Sequence, residues 1–465
     1  MGQYIKTLYF VIFLMMLANF SKADICGPEF DQQKPAKTSI EIDAAQTDDE
    51  KSVFIYFDQS LSMQGFTKLQ PGEDNYYIDL LDDLQQIAEN VGSKTFYHSF
   101  GKRIEPIKQN KIAQVTKPTF YECEEATASC NNQESKIHLP FRQAEDISNG
   151  TFIIVTDLFL SNKQLVSTSR TQLTKPLKSI LKNGKSIGII GVMNSFNGTI
   201  YDIPTREGGT ISFTEAKKRP FYVIVIGDQK EINKVKKNLE EQHFDGDEDK
   251  YKFTLVTSTP VLQNLNQSEL ISENNISQNI TKSENFKLEF EKDKLPIYFF
   301  NAKRKNKSIS LKFDNSDIIV PGSTGVSEFK INNTLWSSQK TNCRKIDHDN
   351  DWKKDKRTNI STLEQTDENL EIEIFKEIPL KKLFWGKRYF YFAEIYAQSP
   401  GNISEETFKE WSISDAEAES FTESNPTEYK TLNLDKIIKI LNSVANEEFT
   451  PTLVASIALN FELEK

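Results

Sequence analysis

The chain has 465 residues, 37% hydrophobic and 27% charged, with 16 Pro and 19 Gly, so neither a wholly disordered nor a collagen-like chain fits. At roughly 100–200 residues per domain it should hold two or three domains. Its 57 basic and 67 acidic side chains give a formal charge of −10, which speaks against a general phosphate-backbone binder and so against nucleic acid as a partner.

In chain order, Lys6 precedes an apolar run from Leu8 to Leu17, and Ser21-Lys22-Ala23 places small residues at the two positions a signal peptidase reads. The run is shorter than the about 20 residues of a bilayer span. Residues 1–23 therefore read as a cleaved export signal, which predicts a secreted or periplasmic chain with no stable membrane span after cleavage. Asp24 and Ile25 just before Cys26 do not suit lipoprotein processing. The four cysteines, Cys26, Cys123, Cys130 and Cys343, read first as disulfides in an exported chain. Cys123 and Cys130 are close enough to clip a local loop, and Cys26 with Cys343 would then tie the mature N-terminus to the far half; three pairings are possible in principle. Their spacing fits no common zinc signature.

After a polar lead over 24–49, Ser52 to Phe57 is a β-former-rich apolar run of buried-strand length, ending at Asp58. Residues 75–91 carry apolar side chains at a helical period closed by Gly92, and Lys94 to Phe100 reads as the next strand. A helix is expected from about Lys136 to Ile147, then a fully apolar strand Thr151 to Thr156 ending at Asp157. A helix over Gln164 to Leu181, interrupted at Pro176, and a buried strand Ser186 to Val192 follow. Turns in 193–218 suggest an inserted hairpin. Phe221 to Ile226 returns as a core strand, and Glu231 to Gln242 is an amphipathic helix. This alternation predicts an α/β fold over 50–260, a doubly wound, mainly parallel sheet covered on both faces. The polar stretch 261–285 reads as a linker. Beyond it, period-two runs at 286–290, 308–313, 370–375 and 389–395 predict a β-rich, sandwich-like domain over 286–465, with a late helix over 430–442.

The chemistry-bearing words are Phe57-Asp58-Gln59-Ser60-Leu61-Ser62-Met63-Gln64-Gly65 and Val155-Thr156-Asp157. An acid at the carboxyl end of a strand in an open α/β sheet sits where such sheets place ligands. Ser60 and Ser62 can point to the same spot, and Asp157 from a second strand end can approach it. Two acids and two hydroxyls suit Mg²⁺, a hard cation that takes oxygen ligands and is held by one or two carboxylates. Here the sequence resembles the von Willebrand factor A (vWA) family, whose metal-ion-dependent adhesion site is written Asp-x-Ser-x-Ser, a later Thr and a later Asp. Asp58, Ser60 and Ser62 match the first motif and Asp157 the last, over roughly residues 50–228. The best match to the middle threonine is Ser135, ahead of Lys136-Ile137, with Thr127 and Ser129 as competing candidates. The resemblance implies a bound Mg²⁺, with Mn²⁺ or Ca²⁺ as substitutes. It also implies a protein partner that presents an Asp or Glu to complete the coordination shell.

Other readings are weaker in the residues. No Gly-x-Ser-x-Gly elbow surrounds Ser60 or Ser62, and neither a phosphate-cradling glycine loop nor an HExxH helix occurs. His98, His138, His243 and His348 read as structural or solvent-facing, so a non-enzymatic protein is expected. The acidic runs Asp245–Asp249 and Asp347–Asp351 lack the later Gly and Glu of a calcium loop and read as solvated turns. Trp385, Tyr389 and Tyr391 read as sandwich core before a sugar platform. A metal-free structural or envelope-assembly scaffold is the alternative function.

Overall fold

The computed structural model describes residues 51–68, 72–91, 94–123, 130–147, 149–160, 170–207, 209–240, 250–258, 280–281, 297–304, 309–314, 326–340, 347, 350–356, 361–365, 369–374, 387–401, 403, 405–420 and 430–463. The predicted export signal, Cys26, Cys343, Thr127, Ser129, Trp385, most of the linker and the strand expected at 286–290 lie outside them. Among the described residues no helix is long and apolar enough to cross a membrane.

The first sheet has seven strands: β1 (Ser52–Asp58), β2 (Lys94–Phe100), β3 (Ile104–Ile107), β4 (Gly150–Thr156), β5 (Ser186–Pro204), β6 (Thr210–Gly227) and β7 (Tyr251–Val256). Their spatial order is β3-β2-β1-β4-β6-β5-β7. β1 pairs in parallel with both β2 and β4. β3, β6 and β7 run the other way, so every remaining pairing is antiparallel. The α/β class stands, and β1, β2, β4 and β5 do share one direction, but only the centre is a parallel sheet.

The departure from a simple parallel sheet has a local cause. β5 and β6 are one hairpin paired from Ser186↔Gly227 to Pro204↔Thr210, and β6 returns between β4 and β5. The stretch expected as an inserted hairpin is the outward continuation of two core strands. Once the chain turns back between Pro204 and Thr210, an antiparallel neighbour needs no crossover connection, and Tyr222 to Ile226 satisfies the free edge of β4.

Side-chain parity builds a core on each face. Val53, Ile55, Phe57, Ile153, Val155, Val223 and Val225 point to one face, where helices α1 (Tyr76–Val91) and α4 (Gln229–Leu239) supply Leu80, Leu84, Ile232 and Val235. Tyr56, Phe152, Ile154, Tyr222 and Ile224 point to the other, over α2 (His138–Asp146) and α3 (Arg170–Lys182). Each fully buried large aliphatic or aromatic side chain contributes about 1.5–3 kcal/mol. The second face is closed by residues from the far end of the chain. Phe408, Trp411, Leu434, Ile437, Ile438, Leu441 and Val444 join the same cluster as Leu173, Leu177 and Ile180 of α3. They come from α5 (Glu405–Lys409), the turn after it and α7 (Leu434–Glu448), with the short α6 (Asp415–Ala418) between them. The helix expected at 430–442 is therefore part of the α/β unit's packing.

The β-rich part forms two further sheets. β10 (Ile309–Asp314), β14 (Asn369–Ile374) and β13 (Ser361–Gln365) make one, antiparallel throughout. The other has the order β12-β11-β15-β18-β9-β8, where β8 is Ile280–Thr281, β9 Ile297–Arg304, β11 Val326–Ser338, β12 Lys353–Lys354, β15 Arg388–Pro400 and β18 Thr452–Leu463. It is antiparallel except where β9 and β18 run together. A two-residue parallel pair, β16 (Ser412–Ile413) with β17 (Thr431–Leu432), fastens the segment after α5. The Ser361 hydroxyl accepts from Asn333 Nδ2 at 2.9 Å and from the Tyr391 hydroxyl at 2.8 Å, joining the two larger sheets. Tyr389 and Tyr391 are buried core residues, as expected.

Candidate metal centre

β1 and β4 lie side by side with Phe57 level with Val155, so the next residues, Asp58 and Thr156, emerge together at the carboxyl edge of the sheet. Thr156 Oγ1 donates to Asp58 Oδ2 at 2.7 Å. Ser135 Oγ donates to the same oxygen at 2.6 Å. The backbone N–H of Ser60 donates to Asp58 Oδ1 at 2.9 Å, and the Ser60 and Ser62 hydroxyls share a hydrogen bond at 3.2 Å. The residues expected to ligate, Asp58, Ser60, Ser62, Ser135 and Asp157, are thus brought to one strand-end crevice. Thr156 is the member that sequence reasoning passed over. Its signal was present, a hydroxyl immediately before the second acid, but a terminal strand threonine is common enough to read as a β-former alone.

Local chain geometry holds these groups. After Asp58 the backbone turns into a 3-10 helix, Leu61–Thr67, and Gln59 N–H donates to Phe100 O at 2.8 Å. Gln59 also accepts from Asn131 Nδ2 at 3.1 Å, which links the first motif to the segment bearing Ser135. That segment is fastened to the end of β2, where Lys136 N–H donates to Gly101 O and Lys102 N–H to Asn131 O, both at 3.1 Å. A Cβ on Gly101 would stand 1.9 Å from Asn131 O, a backbone atom that cannot step aside. Gly101→Ala is expected to cost about 1–3 kcal/mol as an overpacking change and to move Ser135 off Asp58; urea denaturation checks the first and cation titration the second. Cys123 and Cys130 are bonded to each other, just before this segment.

On the Asp157 side, Phe159 N–H donates to Asp157 Oδ1 at 3.1 Å and Leu158 N–H to Thr156 Oγ1 at 3.2 Å. Leu158 has φ 51°, a left-handed conformation that costs a non-glycine residue about 1–3 kcal/mol and clusters at functional sites. Asn433, also left-handed at φ 59°, donates from Nδ2 to Leu160 O at 3.0 Å, so the C-terminal segment buttresses this loop.

The electrostatics are those of a buried acid pair. Asp58 is 0% and Asp157 1% exposed. Burial, then the charge of Asp157, pushes the Asp58 carboxyl up to about 6, against the pull of hydrogen bonds from Ser135, Ser60 and Thr156. A fully buried cationic side chain from β6 faces Asp157. Arg219, 0% exposed, holds Nη2 3.7 Å from Asp157 Oδ2, with its guanidinium over the rings of Phe159 at 5.0 Å and Phe196 at 5.2 Å. Nothing in the sequence pattern singles out Arg219, because its approach depends on β6 lying next to β4.

The donor set fits a small hard cation. Mg²⁺ takes oxygens at about 2.0–2.1 Å in an octahedron, which puts adjacent ligands about 3 Å apart, close to the Ser60–Ser62 separation. Ser60, Ser62 and Ser135 supply neutral oxygens, Ser62 and Ser135 being only half-buried, while Asp58 and Asp157 supply charge from below. Among the described residues no three His, Cys, Asp or Glu cluster as a metal site, so any cation here would rest mainly on hydroxyls.

The other candidates fall elsewhere. His98 stacks on Tyr56 at 5.0 Å, and its pKa is lowered by burial. His138 is held down to about 4 by burial and by Arg142 and Lys136. Asp351 accepts from Lys340 Nζ and from Asp347 N–H, both at 2.6 Å, a lysine-closed turn; 245–249 lie outside the described residues. Comparison with protein-family models, with curated proteins and with solved structures finds no match for this chain.

Proposed function

We propose that this is an exported, non-enzymatic protein that binds a protein partner through a divalent cation held in a vWA-like α/β unit. The supporting observation is the convergence of Ser135, Thr156 and the Ser60 backbone on the Asp58 carboxylate, beside the Ser60–Ser62 hydroxyl pair. In this reading Ser60, Ser62 and Ser135 hold Mg²⁺, or Mn²⁺ or Ca²⁺ in its place, and Asp58 and Asp157 balance its charge. The bound ion would supply a Lewis-acid centre for an Asp or Glu of the partner. The protein's own groups do the rest: Asp58 orients two hydroxyls at once, and the buried floor excludes water beneath them. A short ion-mediated contact gives specificity that a net acidic surface would otherwise oppose. The β-rich sheets serve as spacer or second contact surface.

Calorimetric titration of the mature chain with Mg²⁺, Mn²⁺ and Ca²⁺ tests this, alongside Asp58→Ala and Asp157→Ala. One cation per chain, lost in both variants while near-ultraviolet circular dichroism stays native, is the expected result. Unchanged binding in both variants would exclude this crevice. A metal-free scaffold is the second reading, and the proximity of Arg219 to Asp157 is the observation in its favour.

A further inference from the structure

We infer that Arg219 is a built-in counter-cation of the Asp58–Asp157 pair, a tethered positive charge that a divalent ion must outcompete; for the metal, the inference rests on the reading just proposed. Two carboxylates in one buried crevice repel each other and disfavour joint ionisation. Here a guanidinium with 0% exposure faces Asp157 at 3.7 Å, and the faces of two aromatic rings, Phe159 and Phe196, favour a cation in that position. Its neighbour across the hairpin is Asn194, itself buried and donating to Asn75 Oδ1 at 3.1 Å. Arg219 is therefore held by a buried pair of the β5–β6 hairpin and not by a surface loop. The hairpin packs closely on the 3-10 helix that carries Ser62: a Cβ on Gly65 would lie 2.3 Å from the Phe196 ring, and one on Gly198 2.6 Å from Gly65 Cα.

With both carboxylates ionised, Arg219 leaves the crevice at a net −1 instead of −2, so part of the attraction for a divalent ion is already spent. A cation entering the hydroxyl face also meets the repulsion of a fixed positive group. Wild-type affinity should be low, and the site should keep its shape without metal.

Arg219→Met keeps an unbranched stem beside the two rings, against which a thioether packs well, and removes the charge; Arg219→Lys keeps the charge. The full mature chain, each variant and the Asp157→Asn/Arg219→Met double variant are titrated with Mn²⁺ by calorimetry and melted in EDTA and in Mn²⁺. Arg219→Met should bind Mn²⁺ at least ten-fold more tightly than wild type. It should also melt lower in EDTA and recover in Mn²⁺, whereas wild type and Arg219→Lys, which bind the ion more weakly, should shift far less between the two. Equal Mn²⁺ affinity in wild type and Arg219→Met would overturn the inference and leave the proposed cation site standing. If no form binds Mn²⁺, a low-melting Arg219→Met that the double variant restores would support the counter-cation and overturn the metal reading. Identical melting of wild type and Arg219→Met in EDTA would overturn the counter-cation itself.

Discussion

A chain ending at residue 260 is expected to fail to form a stable α/β unit, although all seven strands of its sheet lie within that length. Leu173, Leu177, Ile180 and Leu181 of α3 pack in one cluster with Leu434, Ile437, Ile438, Leu441, Val444 and Ala445 of α7. Removing α7 uncovers that face, and at about 1.5–3 kcal/mol per large apolar side chain the loss rivals the roughly 5–15 kcal/mol that separates native from unfolded chains. A single substitution reports on the same contact. Gly191 lacks a side chain where a Cβ would stand 2.6 Å from the Trp411 ring, so the indole fills space that β5 leaves open. Trp411→Ala is expected to cost about 3–5 kcal/mol, read as a lowered urea midpoint with an unchanged slope. A soluble fragment 51–260 that melts cooperatively would show that the C-terminal wrap is dispensable.

Asp58→Asn is expected to stabilise the metal-free protein at neutral pH by about 1–3 kcal/mol, because it removes one of two buried carboxylates that repel each other, while abolishing cation binding. An amide can accept the same Ser60 N–H bond, and the Ser135 and Thr156 hydroxyls can turn to accept from its nitrogen. Asp157 is then left facing Arg219 as a balanced pair. The pH dependence has a definite sign. The folded Asp58 pKa, about 6, lies above its unfolded value of about 3.9, so between them the folded state keeps a proton that the unfolded chain has released. This contribution is fully present below about pH 4 and is lost as pH rises through about 6. In EDTA the wild type should therefore gain stability from this group between pH 7 and pH 5, and Asp58→Asn should not. Cation binding should show the opposite trend, weakening as pH falls through about 6 because proton and metal compete for one carboxylate. A wild-type profile matching that of Asp58→Asn would remove Asp58 as its source.

Such a residue is a stability liability kept at a strand end, and that is partly why the site was legible. Asp58, Ser60, Ser62 and Asp157 stood out because acids and short hydroxyl residues interrupt otherwise apolar strand ends. Ser135 was harder, since its place rests on Asn131 and Gly101 holding an irregular segment against β2. Arg219 was not legible at all: apolar periodicity identifies strands but not their neighbours, and its role exists only because β6 pairs with β4. The same limit explains the C-terminal wrap. The periodicity at 430–442 predicted a helix, but nothing local says that its apolar stripe faces α3 and not the nearby β-rich sheets.

That wrap also sets an order of events for a chain made from its N-terminus. Every member of the crevice, from Asp58 to Arg219, is synthesised before the helix that covers α3, and the strands from Ile297 to Pro400 lie between. The closing contact therefore carries a large loop-closure cost and a high contact order, features that slow folding. Until residues 434–448 arrive, the apolar face of α3 is exposed to other chains, so the interval before closure is when this protein is most vulnerable to aggregation.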